Sequence, residues 1–224
     1  MKQVQLVKLV KSAAAMGLVI AAASLALAQE RAGHGRLFPP EDLGALEGPD
    51  RDAWQKPEQV MDALGIADGS RVADLGAGGG WFTIRLARRV GPNGIVYAED
   101  IQPQMLESIK RRVEREQLQN VRSVLGQPAD PNLPAGELHA VLIVDTFNAF
   151  ERPVIVLQRV RESLRPGGRV GIIEYKKDGH GPGPLMEDRV EPEVVVDAAR
   201  AAGLRLAKRE DFLRYQYMLV FEAR

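Results

Sequence analysis

The chain has 224 residues, 45% of them hydrophobic, which is enough to bury one sizeable core and too apolar for a disordered segment. Its 30 lysines and arginines balance 30 aspartates and glutamates, so no overall positive field draws in nucleic acid or an anionic membrane, and a small-molecule partner is the expectation. Cysteine is absent, which excludes disulfides, thiolate metal sites and a cysteine nucleophile, and His34, His139 and His180 lack metal-ligand spacing, so no metal site is expected.

Lys2, Lys8 and Lys11 precede an uncharged apolar run from Ser12 to Ala28 that closes on Ala26-Leu27-Ala28. A positive start, an apolar middle and small residues before a cut after Ala28 read as a secretory signal peptide, residues 1–28, which would carry the rest of the chain to the periplasm. A membrane anchor needs about 20 apolar residues, and this run is shorter and rich in alanine. Its removal takes three lysines and no acid, leaving 27 basic against 30 acidic residues, a mildly acidic mature chain.

Residues 29–50 carry Gly33, Gly35, Pro39, Pro40, Gly44, Gly48 and Pro49, the breaker density of an extended arm, and one domain is expected over residues 51–224. Asp52 to Leu64 reads as a helix with Pro57 at a start or kink and Gly65 as its stop. Arg71–Leu75 is a short strand ending in glycines, followed by Phe82, Leu86 and Val90 at helical spacing. Ile95–Glu99 is a second strand, and Leu106, Ile109 and Val113 mark the next helix. Val121–Leu125 and Ala140–Val144 are the third and fourth strands, the latter apolar throughout, as a strand covered on both faces should be. A helix from Pro153 to Leu164 ends at Arg165-Pro166-Gly167-Gly168, and Val170–Glu174 is the fifth strand. A helix opened by Glu191-Pro192 closes at Gly203, and strands near Leu204–Lys208 and Arg214–Glu222 finish the chain. This alternation predicts an α/β fold, a doubly wound Rossmann-like sheet of seven strands that is mostly parallel. One of the last two strands must run antiparallel, because no crossover helix fits between them.

The stretch "VADLGAGGGWFT" (Val72–Thr83) decides the ligand. A dinucleotide loop has the spacing GxGxxG, and counted from Gly76 its third glycine falls on Trp81. Asp74, at the carboxyl end of the first strand, would also repel a diphosphate. A cationic ligand without phosphate suits Asp74, Gly76, Gly78 and Gly80, and S-adenosylmethionine carries a sulfonium and an ammonium. Asp100, at the end of the second strand, is placed to accept from ribose hydroxyls.

From Trp54 onward the sequence resembles the class I S-adenosylmethionine-dependent methyltransferases. The resemblance rests on "VADLGAGGGWFT", on "VYAEDIQPQML" (Val96–Leu106), "GQPADPNLP" (Gly126–Pro134), "VLIVDTFNAF" (Val141–Phe150) and "LRPGGRVGIIEY" (Leu164–Tyr175), in that family's order and spacing. It implies a reversed last strand and S-adenosyl-L-methionine as cofactor. By the same resemblance, Gly76, Gly78 and Gly80 approach the methionine part, Asp74 holds the loop and the ammonium, Asp100 binds the ribose, and Ala129 and Asp130 line the adenine. Asp145, Phe147 and Asn148 would stand at the methyl-transfer edge.

Within the class, "RDAWQKPEQVMDALGI" before the first motif is similar to small exported or membrane-associated proteins of the "predicted methyltransferase" group. Those relatives tend to read "DTYHH" or "DVYHE" at the fourth strand; here Phe147 lacks the tyrosine hydroxyl and Asn148 the histidine base. The residues able to take a proton are then Asp145, Glu174 and His180, the last read first as an exposed loop residue. Glu99 reads as facing solvent, and Trp81 and Phe82 as core packing at a helix start. The leading reading is a methyltransferase for a small-molecule acceptor, or for a lipid or quinone-like one. Its rivals are an exported binding protein of the same fold without turnover and, disfavoured by Asp74 and Trp81, a nicotinamide-dependent oxidoreductase.

Overall fold

The computed structural model describes residues 37–40, 43–44 and 48–223. The expected signal peptide, His34 and part of the arm lie outside the described residues.

In chain order the elements are α1 (Arg51–Gln55), α2 (Pro57–Ala63), β1 (Arg71–Leu75), α3 (Trp81–Val90), β2 (Ile95–Asp100), α4 (Pro103–Arg115) and β3 (Val121–Leu125). They continue with β4 (Leu138–Val144), a 3-10 turn (Phe147–Ala149), α5 (Pro153–Ser163), β5 (Leu164–Tyr175), α6 (Pro192–Ala201), β6 (Leu204–Glu210) and β7 (Gln216–Ala223). Helices α2, α4, α5 and α6 each open on a proline, which gives up an amide hydrogen that the first turn cannot use. Two expectations are corrected. The single helix over Asp52–Leu64 is two, because Lys56 between them is left-handed at φ 45°. The fifth strand starts at Leu164 rather than Val170, since Leu164 pairs with Leu138 across a register shift.

The seven strands form one sheet in the order β3-β2-β1-β4-β5-β7-β6, with only β7 reversed. Helices α2 and α3 cover one face of the sheet through Val60, Met61, Phe82 and Leu86. Helices α5 and α6 cover the other through Leu157, Val160, Val195 and Ala199. Side chains such as Leu142 and Ile172 are fully buried, each worth about 1.5–3 kcal/mol relative to exposure. β1 and β4 are neighbours, yet the chain leaves β1 for β2 on one side and β4 for β5 on the other. Such a reversal opens a crevice beyond the carboxyl ends of the two strands. Among the described residues, no helix is long and apolar enough to cross a membrane.

Candidate active site

Asp74 is the penultimate residue of β1, and the Thr83 hydroxyl, in the first turn of α3, donates to its Oδ2 at 2.6 Å. The carboxylate therefore ties strand to helix across the glycine loop. Burial pushes Asp74 up to about 6, while the Thr83 bond and the charge of Arg51 pull it down. Gly76, Gly78 and Gly80 all have left-handed φ (70°, 54° and 79°). A Cβ at Gly76 would collide with the Thr146 side chain at the end of β4, so this glycine lets the β1 and β4 loops touch.

Two adjacent acids at the end of β2 hold two of the loop amides. Gly78 donates its N–H to Asp100 Oδ2 at 3.0 Å, and Asp100 Oδ1 accepts from the Gln102 amide at 2.9 Å. Gly76 donates to Glu99 Oε2 at 3.2 Å. Glu99 is thus not the solvent-facing residue expected. It is buried against Gly126, where any Cβ would strike its carboxyl, and burial pushes it up to about 8 despite the Gly76 bond. Burial also raises Asp100, opposed by its backbone donors.

The segment after β3 is a tight turn in which Gln127 and Asp130 exchange backbone hydrogen bonds. Ala129 is half-buried within it. Asp130 Oδ1 accepts from the Asn132 amide at 3.0 Å, and its Oδ2 lies 3.8 Å from Arg159 Nε. The Asp130 carboxylate therefore braces this turn.

Asp145 follows β4 with φ 51°, a strained backbone for a residue other than glycine, and its Oδ1 is buried without a hydrogen-bond partner. Glu174, fully buried on β5, accepts the amides of Thr146 and Phe147 on Oε1 at 3.0 and 2.8 Å; its Oε2 has no partner. Burial raises both carboxyls, and their mutual repulsion raises Glu174 further, whereas Arg51 and Arg189 pull Asp145 down. Glu174 therefore organises the turn and has no exposed face with which to meet an acceptor. The Phe147 ring packs in the core, edge-on to Phe150 at 5.7 Å. The Asn148 amide donates to the Asp188 carbonyl at 3.4 Å. His180 is exposed; its amide donates to Asp178 Oδ1 and its carbonyl accepts from Arg189. His139 lies on β4, where its Nδ1 accepts from the Arg71 amide.

Several residues at this edge were given no role by sequence reasoning. Arg51, on α1, stacks 4.2 Å above the Trp81 ring, and Trp54 packs against Tyr175 and Tyr215 with ring centres 6.2 and 5.9 Å apart. Arg189 is buried and donates to the carbonyls of Pro184, Lys176 and His180, which fastens the loop after β5. A Cβ at Gly181 or Gly183 would strike Tyr215 or Tyr175, so that loop lies directly on the aromatic group. The expected site residues from β1, β2 and β4 converge at the switch point. Ala129 and Asp130 occupy a separate turn beside β3.

A family profile described as a methyltransferase domain matches residues 72–168. A SAM-dependent methyltransferase from Aquifex aeolicus has the same fold with a TM-score of 0.78, at 26% identity over 82% of this chain and 98% of that one. The protein-L-isoaspartate O-methyltransferase of Methanothrix thermoacetophila is 30% identical over 146 residues, 61% of this chain and 67% of that protein. The chain belongs to the class I S-adenosylmethionine-dependent methyltransferases. Another relative of this methyltransferase, the demethylmenaquinone methyltransferase of a Geobacillus species, is 29% identical over 117 residues. The chain spans about two thirds of the Methanothrix protein and half of the Geobacillus one. S-adenosylmethionine is the cofactor of the class, and the residues present suit it. Two carboxylates, Asp74 and Asp145, stand where positive charge would lie, one of them with an unsatisfied oxygen, and the loop between them carries no side chains at Gly76, Gly78 or Gly80.

Proposed function

We propose that this methyltransferase passes the methyl group of S-adenosylmethionine to a small-molecule acceptor, with Asp145 as the group that takes the acceptor's proton. The observation that carries this reading is the buried, unpartnered Asp145 Oδ1, held by a strained turn at the switch point. Bound S-adenosylmethionine would supply an electrophilic methyl on a positively charged sulfur. The protein's own work is then largely orientation, since a nucleophile held in line gains most of the available acceleration. Gly76, Gly78 and Gly80 allow close approach, and Asp74 favours the ammonium. Asp100 accepts from the ribose, and Ala129 with Asp130 borders the adenine. Asp145, raised by burial and kept within range by Arg51 and Arg189, is suited to accept a proton near neutral pH. Trp54, Tyr175, Tyr215 and the loop pinned by Arg189 would keep water from the transfer edge.

The relatives' named acceptors, an isoaspartyl protein and demethylmenaquinone, differ too much in kind to choose between. A second reading, cofactor binding without turnover, is favoured by one feature. Phe147 is turned into the core and Asn148 is not a base, so Asp145 is the remaining titratable group of that motif. The signal peptide over residues 1–28 supports a place outside the cytoplasm for either reading.

Calorimetric titration of the full chain with S-adenosylmethionine, and separately with NADH, tests the cofactor; saturable binding of the first alone is the expected result. Transfer of labelled methyl to any component of a small-molecule extract, lost in Asp145→Asn, supports turnover. Binding without transfer to any fraction favours the second reading. Native protein that retains Met1 in the cytoplasm would refute export.

A further inference from the structure

Away from the switch point, helix α4 sorts its charges by face. Met105 and Ile109 are buried, and Glu107, Lys110 and Glu114 share one exposed side. Ser108, Arg111, Arg112 and Arg115 fall on another, at the three- and four-residue spacing that stacks side chains on one stripe. That stripe walls a cavity of about 220 Å³, whose other walls are Leu43 and Gly44 of the arm and Gly79 of the glycine loop. None of Asp74, Asp100 or Asp145 lines it, nor does any other acid among the described residues.

Glu107 and Arg111, one turn apart, would ordinarily pair along the helix. Instead Arg111 Nη2 donates to the Ser108 hydroxyl at 3.3 Å, a neutral partner, and among the described residues Arg111 makes no ion pair. Arg115 makes none either. Arg112 Nη1 donates to the Gly79 carbonyl at 3.2 Å, which sets the third guanidinium against the loop. Like charges three and four residues apart repel, and the chain as a whole balances 30 basic with 30 acidic residues, so this positive charge is concentrated locally. A cation in the last turn suits the helix dipole, which accounts for Arg112 and Arg115 singly but not for a cavity between them and the arm.

We propose that this cavity binds the phosphate group of a small ligand or of a lipid headgroup, with Arg111 and Arg115 as charge partners, Ser108 as a further donor, and Arg112 between ligand and glycine loop. Planar guanidinium forks match phosphate oxygens, and several of them together offer more charge and more donors than a single carboxylate uses. A phosphate monoester, close to doubly charged, uses them. The volume is below the roughly 300–1,000 Å³ of sites that enclose a drug-sized molecule, so the rest of the ligand stays outside. Occupancy requires neither cofactor nor methyl acceptor.

The test is calorimetric titration of the full chain with inorganic phosphate and with glycerol phosphate, at fixed ionic strength so that general screening is constant. Wild type is expected to bind them at one site, and the amides of Gly44, Gly79 and Ser108 to shift in nitrogen–proton correlation spectra while those of β7 stay in place. Arg111 and Arg115 are exposed, so replacing both spares the fold. The double variant Arg111→Gln, Arg115→Gln should bind about tenfold more weakly. Arg122→Gln, which removes an exposed arginine of β3 outside the cavity, should bind within about twofold of wild type. Vesicles of phosphatidylcholine with and without phosphatidic acid separate the sources. Capture by the phosphatidic acid vesicles alone, lost in the double variant and without binding of the soluble phosphates, assigns a lipid headgroup; binding of the soluble phosphates alone assigns a free one. Wild type that binds neither soluble phosphate nor phosphatidic acid vesicles overturns the proposal. So does binding that the double variant weakens no more than Arg122→Gln, or that shifts amides elsewhere and leaves those of the cavity in place. S-adenosylmethionine is absent from these titrations, so neither outcome bears on the cofactor.

Discussion

Replacing Glu174 separates a structural carboxyl from a chemical one. Its Oε1 accepts two backbone amides, Thr146 at 3.0 Å and Phe147 at 2.8 Å, that carry the turn bearing Asp145. In Glu174→Ala each amide loses its acceptor at about 1–3 kcal/mol, and the emptied space adds about 1 kcal/mol. Relief from burying an acidic group offsets part of this, so the net loss should be about 2–4 kcal/mol, or roughly 5–15 °C in Tm for a domain of this size. Glu174→Gln keeps the acceptor and replaces the unpartnered Oε2 with an uncharged amide, so its stability should exceed that of wild type, by about 2 kcal/mol at pH 6 and by more at pH 9, where the pH stands further above the carboxyl's ordinary value. The pH dependence adds a sign. Burial raises the Glu174 carboxyl, so between its ordinary and its raised value the folded chain keeps a proton that the unfolded chain has lost. Wild type must then lose stability as pH rises through that interval, and Glu174→Gln must lose less. Urea unfolding followed by circular dichroism at pH 6 and pH 9 reads both effects. An alanine variant within about 0.5 kcal/mol of wild type, or a glutamine variant as unstable as the alanine one, would show that the two amides do not depend on this carboxyl.

Glu99→Gln should behave similarly at the other acidic pocket. With Glu99 raised by burial from 4.5 to about 8, wild type loses stability across that interval, and the variant should be more stable at pH 9 by on the order of 2–4 kcal/mol but not at pH 4; parallel unfolding curves at the two pH values would count against a buried carboxyl. Gly76→Ala combines a φ of 70° with a collision against Thr146, at a cost of about 2–4 kcal/mol, and Thr146→Ala in the same chain should recover part of it when both are measured by thermal unfolding. Thr83→Val deletes the hydroxyl that donates to Asp74 while keeping the shape, so it should cost about 1.5–3 kcal/mol at pH 8 and less below pH 6, where Asp74 is protonated; equal losses at both values would remove the charge from the explanation.

β1 and the exposed edge strand β3 have the limits expected from the sequence, because glycine and asparagine border them and little else competes, whereas the buried β4 starts two residues earlier than its apolar run. β5 begins earlier than its Arg-Pro-Gly-Gly stretch suggests, since pairing of Leu164 with Leu138 overrides local turn chemistry. The break at Lys56 was marked in the sequence by Pro57, which opens α2, although the left-handed φ of Lys56 was not. Among candidate site residues, the loop glycines and the strand-end acids announce themselves by position. Glu99 did not, because a charged residue is buried only where the tertiary fold supplies a donor, here the Gly76 amide. Arg51 was given no role for a related reason. Its partners Gln55, Gln216 and Trp81 are scattered along the chain, and only the folded sheet brings them together.

The order of the sheet also bears on how the chain is made. β7 lies between β5 and β6, although it is the last of the strands to be synthesised. Until residue 223 has left the ribosome, β6 has no neighbour and β5 presents an open edge, so the sheet closes by insertion rather than by accretion. Gln216, whose side chain accepts from the buried Gln55 amide on α1, arrives in that same final step, so the last strand of the sheet also completes the anchorage of α1.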